Sequence, residues 1–342
     1  MRTKDAIASL KPYNPPKTRP SIKLDANESD NFLFDAPLSF EDVPLNLYPD
    51  SNATALRQSI SQVHTLPAEN IIVGAGSSEL IELTIKTYMN PGDRVLAMTP
   101  TFGMYEVYTT MHGGVFDAVA VDENHDLPVD EFIARADATN PALIILCSPN
   151  NPTGKRIAEE AIRKIVTRTK APVLVDEAYI DFSGEDASLK HAIHEYSNLL
   201  ITRTFSKAYG MAGARLGYMF APEKVISTLN RVKTPYSVNA ITQTLGIKAL
   251  NATPRVNEYC KGVAERRETL KKALEQLGYT ITPSEANFLY VTTDDATLGD
   301  KLSEKGIAIR AYGDNAPAHY RISVGNTQDN DALIRALKEV NS

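Results

Sequence analysis

The sequence predicts an α/β protein built on a mostly parallel, doubly wound sheet, with a smaller α+β unit at its C-terminal end. Two observations carry that expectation. Between residues 71 and 203, short runs that are apolar at consecutive positions alternate with amphipathic stretches of helical period. Strands covered by helices on both faces have that pattern. Beyond residue 235 the character changes to a long charged helix, several strands and a last amphipathic helix, as in an α+β layer.

The first forty-odd residues are rich in Pro, Asn and Asp, with Pro12, Pro15, Pro16, Pro20, Pro37 and Pro44. Proline fixes φ and removes a backbone donor, so extended, irregular chain is expected in place of helix, an arm reaching over another surface. The first strand is expected over 71–73, followed by Gly74-Ala75-Gly76-Ser77-Ser78-Glu79 and a helix over 80–88. Further strands are expected over 94–98, 115–121, 142–147, 173–175 and 199–203, with a helix over 158–169. A charged helix over 254–277 stops at Gly278. Strands over 287–291, 307–310 and 320–324 and a helix over 330–340 complete the pattern.

With 342 residues, 43% of them hydrophobic, the chain can bury a sizeable core without disulfides or metals. The formal net charge of -6 gives no general attraction to nucleic acid or to an anionic membrane. Any bound anion must be met by a local basic cluster. Cys147 and Cys260 lie far apart, which suits two reduced thiols, with Cys147 buried and inert in an apolar run. The first ten residues lack the apolar core of a signal peptide, and no apolar run approaches the roughly 20 residues that span a bilayer. A cytoplasmic protein is expected. The histidines at 64, 112, 125, 191, 194 and 319 show no metal-ligand spacing, so no metal site is expected.

Four segments follow strand candidates directly and carry reactive side chains. Ser206-Lys207 comes straight after the strand over 199–203, at the carboxyl end of a sheet strand where open α/β sheets bind ligands. A lysine that is partly desolvated near other basic groups becomes a neutral, nucleophilic amine. Ser206 and Arg215 supply the hydroxyl and guanidinium that suit a phosphate. Taken singly, a Ser-Lys pair is more often a solvated surface lysine. Asp176-Glu177-Ala178-Tyr179 ends the strand over 173–175; its first carboxylate suits a pyridine nitrogen, although a helix cap or surface turn would use the same residues. Ser148-Pro149-Asn150-Asn151-Pro152-Thr153-Gly154 is a rigid polar loop after another strand. The turn from Gly74 to Glu79 offers free N–H groups at a helix start, a common phosphate site.

These motifs in this order resemble the class I and II aminotransferases of fold type I. More narrowly, the chain resembles the histidinol-phosphate aminotransferase family, through LDANES at 24–29, YPD at 48–50, PTFGMY at 100–105, RTFSKAYGMAGARLGY at 203–218, EANFLY at 285–290 and RISVG at 321–325. The resemblance implies a seven-stranded, mostly parallel sheet in a large unit over 31–245, a small unit over 246–342, and an arm over 1–30 that also contributes to the small unit. It implies pyridoxal 5'-phosphate as cofactor, with Lys207 forming the internal aldimine and carrying the proton at the substrate's Cα. Asp176 would pair with the ring nitrogen, Tyr179 and Asn151 with the phenolic oxygen. Phe102 and Ala178 would flank the ring, and Ser77, Ser78, Ser206 and Arg215 would hold the phosphate. Tyr48 would reach that phosphate from the neighbouring subunit of a homodimer.

For substrates, the resemblance implies that Arg321 grips a carboxylate and that Arg310 joins it in reading a substrate phosphate. Tyr13, on the arm of the other subunit, would touch substrate, with Asn27 and Asn287 beside the cleft. The reaction implied is transamination between histidinol phosphate and 2-oxoglutarate, a step of histidine biosynthesis. The chain departs from the family's usual Asn and Asp at Ala75 and Ser78. Alternatives of the same chemistry are an aromatic or broad-specificity aminotransferase and a threonine-phosphate decarboxylase-like enzyme. A cofactor-sensing regulator would need a DNA-binding module, for which this sequence has no spare length.

Overall fold

The computed structural model describes residues 5–8, 10, 20–34, 38–184, 186–313 and 316–341. In chain order its strands are β1 (Ile22–Lys23), β2 (Ile71–Gly74), β3 (Arg94–Thr99), β4 (Val115–Ala120), β5 (Leu143–Cys147), β6 (Val173–Asp176), β7 (Leu199–Thr204), β8 (Gly217–Phe220), β9 (Thr280–Thr282), β10 (Phe288–Thr293), β11 (Ile307–Ala308), β12 (Arg310–Tyr312) and β13 (Ala318–Ser323). The main sheet has the order β2-β8-β7-β6-β5-β3-β4. Only β8 runs against its neighbours; the other pairings are parallel.

The consecutive apolar runs are explained by the two faces of this sheet. Every residue of β5, β6 and β7 is buried. Ile144, Leu146, Val173, Val175, Leu199 and Ile201 join one core cluster, while Leu143, Ile145, Leu174 and Leu200 join the other. Each fully buried aliphatic side chain contributes about 1.5–3 kcal/mol relative to exposure, so the central strands are apolar at consecutive positions until their carboxyl ends, where Asp176 closes β6 and Thr202, Arg203 and Thr204 close β7.

The C-terminal strands form an antiparallel sheet in the order β12-β13-β10-β9. Here the side chains alternate. Ile281, Leu289, Val291, Tyr320 and Ile322 enter a third core cluster. The opposite face carries Tyr290, Arg321 and Arg310 in one cross-strand row. The helix Thr253–Gln276 joins the cores, with Val256, Cys260 and Val263 in the first cluster and Leu270 and Leu274 in the third.

Two expectations need correction, and two strands went unread in the sequence. Asp5–Ala8 is a short helix, not extended chain; it precedes Pro12, the first proline, and so escapes the restraint that argued against helix. The strand expected over 307–310 is two strands, because the chain leaves β11, paired with β1, and joins β13 as β12 on either side of Ile309. Thr280–Thr282 is a strand too short to show a period. Gly217–Phe220 is the reversed strand of the main sheet, and its four residues lie inside a motif rich in turn formers.

Among the described residues no helix is long and apolar enough to cross a membrane.

Candidate active site

The carboxyl ends of β5, β6 and β7 lie side by side, and their following loops bring the candidate residues together. β7 ends at Thr204, whose Oγ1 accepts from the Ser206 N–H at 3.1 Å, while the Phe205 N–H bonds to Leu216 O at 3.0 Å. That turn sends Lys207 past the strand tip. Its Nζ donates to the carbonyls of Ala26 and Asn27 at 2.9 and 3.2 Å, and lies 5.6 Å from the centre of the Tyr179 ring. Burial, aided by the nearby Arg321 guanidinium, brings the ammonium down to about 7. Near neutral pH a large share of Lys207 is therefore a free amine, the form that attacks an aldehyde.

Asp176 ends β6 and is buried. It accepts hydrogen bonds from Tyr105 Oη at 2.7 Å and the Ala178 N–H at 3.2 Å. Burial raises its carboxyl to about 6 despite the Tyr105 bond. A carboxylate in such dry surroundings is stabilised by a protonated partner. Beside it, burial pushes the Cys147 thiol up to about 12, so this cysteine is inert.

Tyr179 Oη accepts from Asn27 Nδ2 at 3.1 Å and Asn151 Nδ2 at 3.4 Å. Asn151 Oδ1 in turn accepts from Arg321 Nη1 at 2.6 Å and Tyr312 Oη at 3.4 Å. Arg321 also donates to Tyr312 Oη at 3.1 Å and to Asp25 O at 2.6 Å. Asn287 Nδ2 donates to Asn27 O at 3.1 Å, and Ser323 Oγ donates to Asn27 Oδ1 at 3.1 Å. The N-terminal segment 25–27 is thus clamped between Lys207 and the C-terminal sheet.

The fourth corner is the start of the helix Ser77–Tyr88. Gly76 caps it at φ 85° with no side-chain cap bond, so the first N–H groups have no capping acceptor. Arg215 Nη1 donates to Ser206 Oγ at 3.3 Å. A Cβ on Gly76 would lie 2.7 Å from Arg215 Nη2, so the guanidinium lies against the helix start. Uncapped N–H groups, two hydroxyls and a guanidinium suit a phosphate dianion.

Phe102 and Ala178 are half-buried; the Phe102 ring meets Tyr105 edge-on at 5.5 Å, and the Ala178 N–H reaches Asp176. Two candidates stand apart within the chain. Tyr48 is 82% exposed and, among the described residues, stacks on Tyr236, and Arg310 is exposed although it sits opposite Arg321 in the β12–β13 register. Tyr13 lies outside the described residues. Reasoning from sequence missed Tyr105, Tyr312 and Ser323. Tyr105 closes the quoted PTFGMY segment, and Tyr312 follows Arg310 at the strand period of two, the one signal available for each.

A family model described as aminotransferase class I and II matches residues 19–337. A histidinol-phosphate aminotransferase of Thermoanaerobacter sp. is 36% identical over 98% of this chain and 98% of that protein. One of Pyrococcus furiosus is also 36% identical, over 98% and 97%. The chain belongs to the histidinol-phosphate aminotransferase family. It is therefore a pyridoxal-phosphate-dependent transaminase, and its mixed, mostly parallel seven-stranded sheet is that of fold type I. Among solved structures, the histidinol-phosphate aminotransferase of Sinorhizobium meliloti in complex with pyridoxal-5'-phosphate superposes with a TM-score of 0.89 at 25% identity, covering 99% of this chain and 97% of that one. A Thermus thermophilus aspartate aminotransferase mutant shares the fold, with a TM-score of 0.82 at 22% identity over 99% of each chain.

The residues present in this aminotransferase fit the family's cofactor. A depressed lysine for an aldehyde, a buried carboxylate for a ring nitrogen and an uncapped helix start with Arg215 for a phosphate lie at the carboxyl ends of β6 and β7 and at the turn after β2. Among the described residues no group of three or more His, Cys, Asp or Glu side chains is arranged to hold a metal ion.

Proposed function

We propose that the enzyme transfers the amino group of histidinol phosphate to 2-oxoglutarate, in the cytoplasm and as a homodimer. The observation that carries the substrate is the register pair Arg310 and Arg321. Directly opposed residues on antiparallel strands project from the same face within about 5.5 Å at Cα. Arg321 is buried and held by neutral acceptors, whereas Arg310 is open to solvent. Two adjacent guanidinium groups suit a phosphate, and the inner one alone suits a carboxylate, so one cleft serves both half-reactions.

The bound cofactor supplies an electron sink, a protonated pyridine ring that spreads the charge left when a Cα proton departs. In this reading Lys207 holds it covalently through Nζ. Once free, the same amine takes and returns the proton at the substrate's Cα, a role its value of about 7 supports. Asp176 would keep the ring nitrogen protonated, Tyr179 and Asn151 would meet the ring hydroxyl, and Phe102 and Ala178 would flank the ring. Ser77, Ser78, Ser206 and Arg215 bind the phosphate. Asn27 and Asn287 shape the substrate side. Tyr48 and Tyr13 reach the cleft of the partner subunit. Support for Tyr48 comes from its exposure together with Leu45 and Leu47, large apolar side chains left in water by a single chain.

An amino-donor screen against 2-oxoglutarate tests the substrate, comparing histidinol phosphate with phenylalanine, tyrosine and threonine phosphate. Histidinol phosphate is expected to give the highest kcat/KM. Arg310→Ala is expected to lower kcat/KM for it by about tenfold or more, the loss of one charge-assisted contact, and to leave phenylalanine nearly unchanged. An equal loss on both donors would refute the phosphate-reading role.

A further inference from the structure

A cavity of about 430 Å³ opens in a place the transamination site does not use. Arg203 of β7 forms part of its wall. It belongs to the alternation of Leu199 and Ile201, which face the first core cluster, whereas Asp176 follows Leu174, which faces the second. The cavity thus lies on the sheet face opposite Asp176. None of Lys207, Asp176, Asn151, Arg215 or Arg321 lines it. Its apolar wall is Ile180, Phe182, Tyr209 and Cys260, with Ala264 on the helix Thr253–Gln276.

The basic side chains at this cavity are unevenly balanced. Arg203 is met by two carboxylates, Glu177 at 3.4 Å and Asp181 at hydrogen-bond contact. Arg267 donates Nη1 to the carbonyl of Ala286 at 2.8 Å, and its carboxylate neighbour Glu268 is 3.7 Å away and half exposed. Lys190 has no carboxylate within 4.0 Å among the described residues. Asp181, Asp186 and Glu177 only contribute to its field, and burial with the Arg203 charge holds its ammonium below the usual lysine range. His64 gives no charge: burial, Arg203 and Lys190 keep its imidazole well below its ordinary value, with Nε2 against Tyr218 Oη at 3.0 Å. A half-desolvated ammonium beside the Arg203 guanidinium lowers its energy by taking on an oxyanion.

We propose that this cavity is a second small-molecule site, taking a compact organic anion whose carboxylate or phosphate meets Lys190 and whose apolar body lies on Phe182 and Tyr209. The volume falls in the range of small-ligand pockets, about 300–1,000 Å³, and the mix of an apolar wall with a few convergent polar groups is their usual lining. The wall is also one residue from the cofactor site: Glu177 follows Asp176, and Glu177 receives Arg203, Ser188 Oγ at 2.6 Å and the Leu189 N–H at 2.9 Å.

The test titrates phenyl phosphate and phenylacetate separately into the holoenzyme by calorimetry, in an Arg321→Met background that silences the active-site carboxylate grip. One binding event per chain is expected with at least one probe, and which probe binds names the oxyanion. Benzyl alcohol, the same body without the charge, is expected to give none. Lys190→Met is expected to weaken binding about tenfold or more. Ala264→Phe, which fills the cavity and leaves every charge in place, is expected to do the same. Circular dichroism and the cofactor spectrum verify that each variant is folded and loaded. Absence of binding by both probes, or affinity that survives either variant unweakened, overturns the proposal.

Discussion

Asn151 Oδ1 accepts a hydrogen bond from Arg321 Nη1 at 2.6 Å, tying the loop after β5 to β13 of the C-terminal sheet. The other Arg321 acceptors are Tyr312 Oη and the Asp25 carbonyl. None of the three is an anion. The guanidinium is therefore oriented without being neutralised, and its charge both lowers the Lys207 ammonium and stays available to a substrate carboxylate. Neutral positioning of this kind separates binding from catalysis, because a change in the acceptors alters how Arg321 is aimed and leaves the charge in place.

Tyr312→Phe tests that separation. The phenyl ring preserves the stacking of Tyr312 near the guanidinium, 5.9 Å from its centre, and removes only the hydroxyl that touches Arg321 and Asn151. Loss of a net hydrogen bond of about 1 kcal/mol corresponds to roughly a fivefold change. The expected result is a KM for 2-oxoglutarate raised by about that factor with kcat changed much less. Steady-state kinetics decide it, and an unaltered KM would show that Tyr312 does not position Arg321.

The Lys207 amine predicts a pH dependence with a definite sign. With its ammonium at about 7, the reactive neutral form increases as pH rises through 7, not through the ordinary lysine range. Reloading of apoenzyme with pyridoxal 5'-phosphate, followed by absorbance in a stopped flow, is expected to accelerate with a midpoint near that value. Arg321→Met removes the second-largest cause of the lowering, so its midpoint moves to higher pH. The same shift sets a linkage. Between about 7 and the ordinary lysine value of 10.5 the unfolded chain holds a proton at Lys207 that the native apoenzyme has lost, so this group's contribution makes the native state more stable as pH rises across that window. A reloading midpoint near 10 would contradict the lowered amine.

Much of this was legible in the chain itself, for physical reasons that also mark where legibility ends. β5, β6 and β7 are apolar at consecutive positions because both sheet faces are covered, and that pattern survives in one dimension. The residues at their carboxyl tips could be read by position, and the ordered motifs supplied the family. Gly217–Phe220 could not, because four residues between turns carry no period. Tyr105 and Tyr312 are ordinary amphipathic tyrosines in sequence; their roles arise from contacts with Asp176, 71 residues away, and Asn151, 161 residues away. The break at Ile309 reflects a choice between two partner strands, β1 and β13, which no local pattern encodes.

Gly217 makes the last prediction, and it concerns the phosphate corner. It pairs with Gly74 across β2 and β8 and with Thr204 across β7. A Cβ there would lie 2.3 Å from Ser77 N and 2.5 Å from Gly76 C, both backbone atoms at the start of the helix Ser77–Tyr88. Backbone cannot rotate away as a side-chain tip can, so Gly217→Ala must push the turn off the sheet. Overpacking of this kind costs about 1–3 kcal/mol, which denaturant unfolding would register. The larger consequence is functional. Displacing Ser77 and Ser78 from Ser206 and Arg215 disperses the groups proposed to meet the phosphate, and cofactor affinity is expected to fall about tenfold or more. Gly213→Ala serves as the control, since a Cβ there meets nothing within 4 Å, and it is expected to match wild type in both measurements. Fluorescence titration of apoenzyme with pyridoxal 5'-phosphate compares the two; wild-type affinity in Gly217→Ala would mean that the close approach of β8 to the turn does not build the phosphate site.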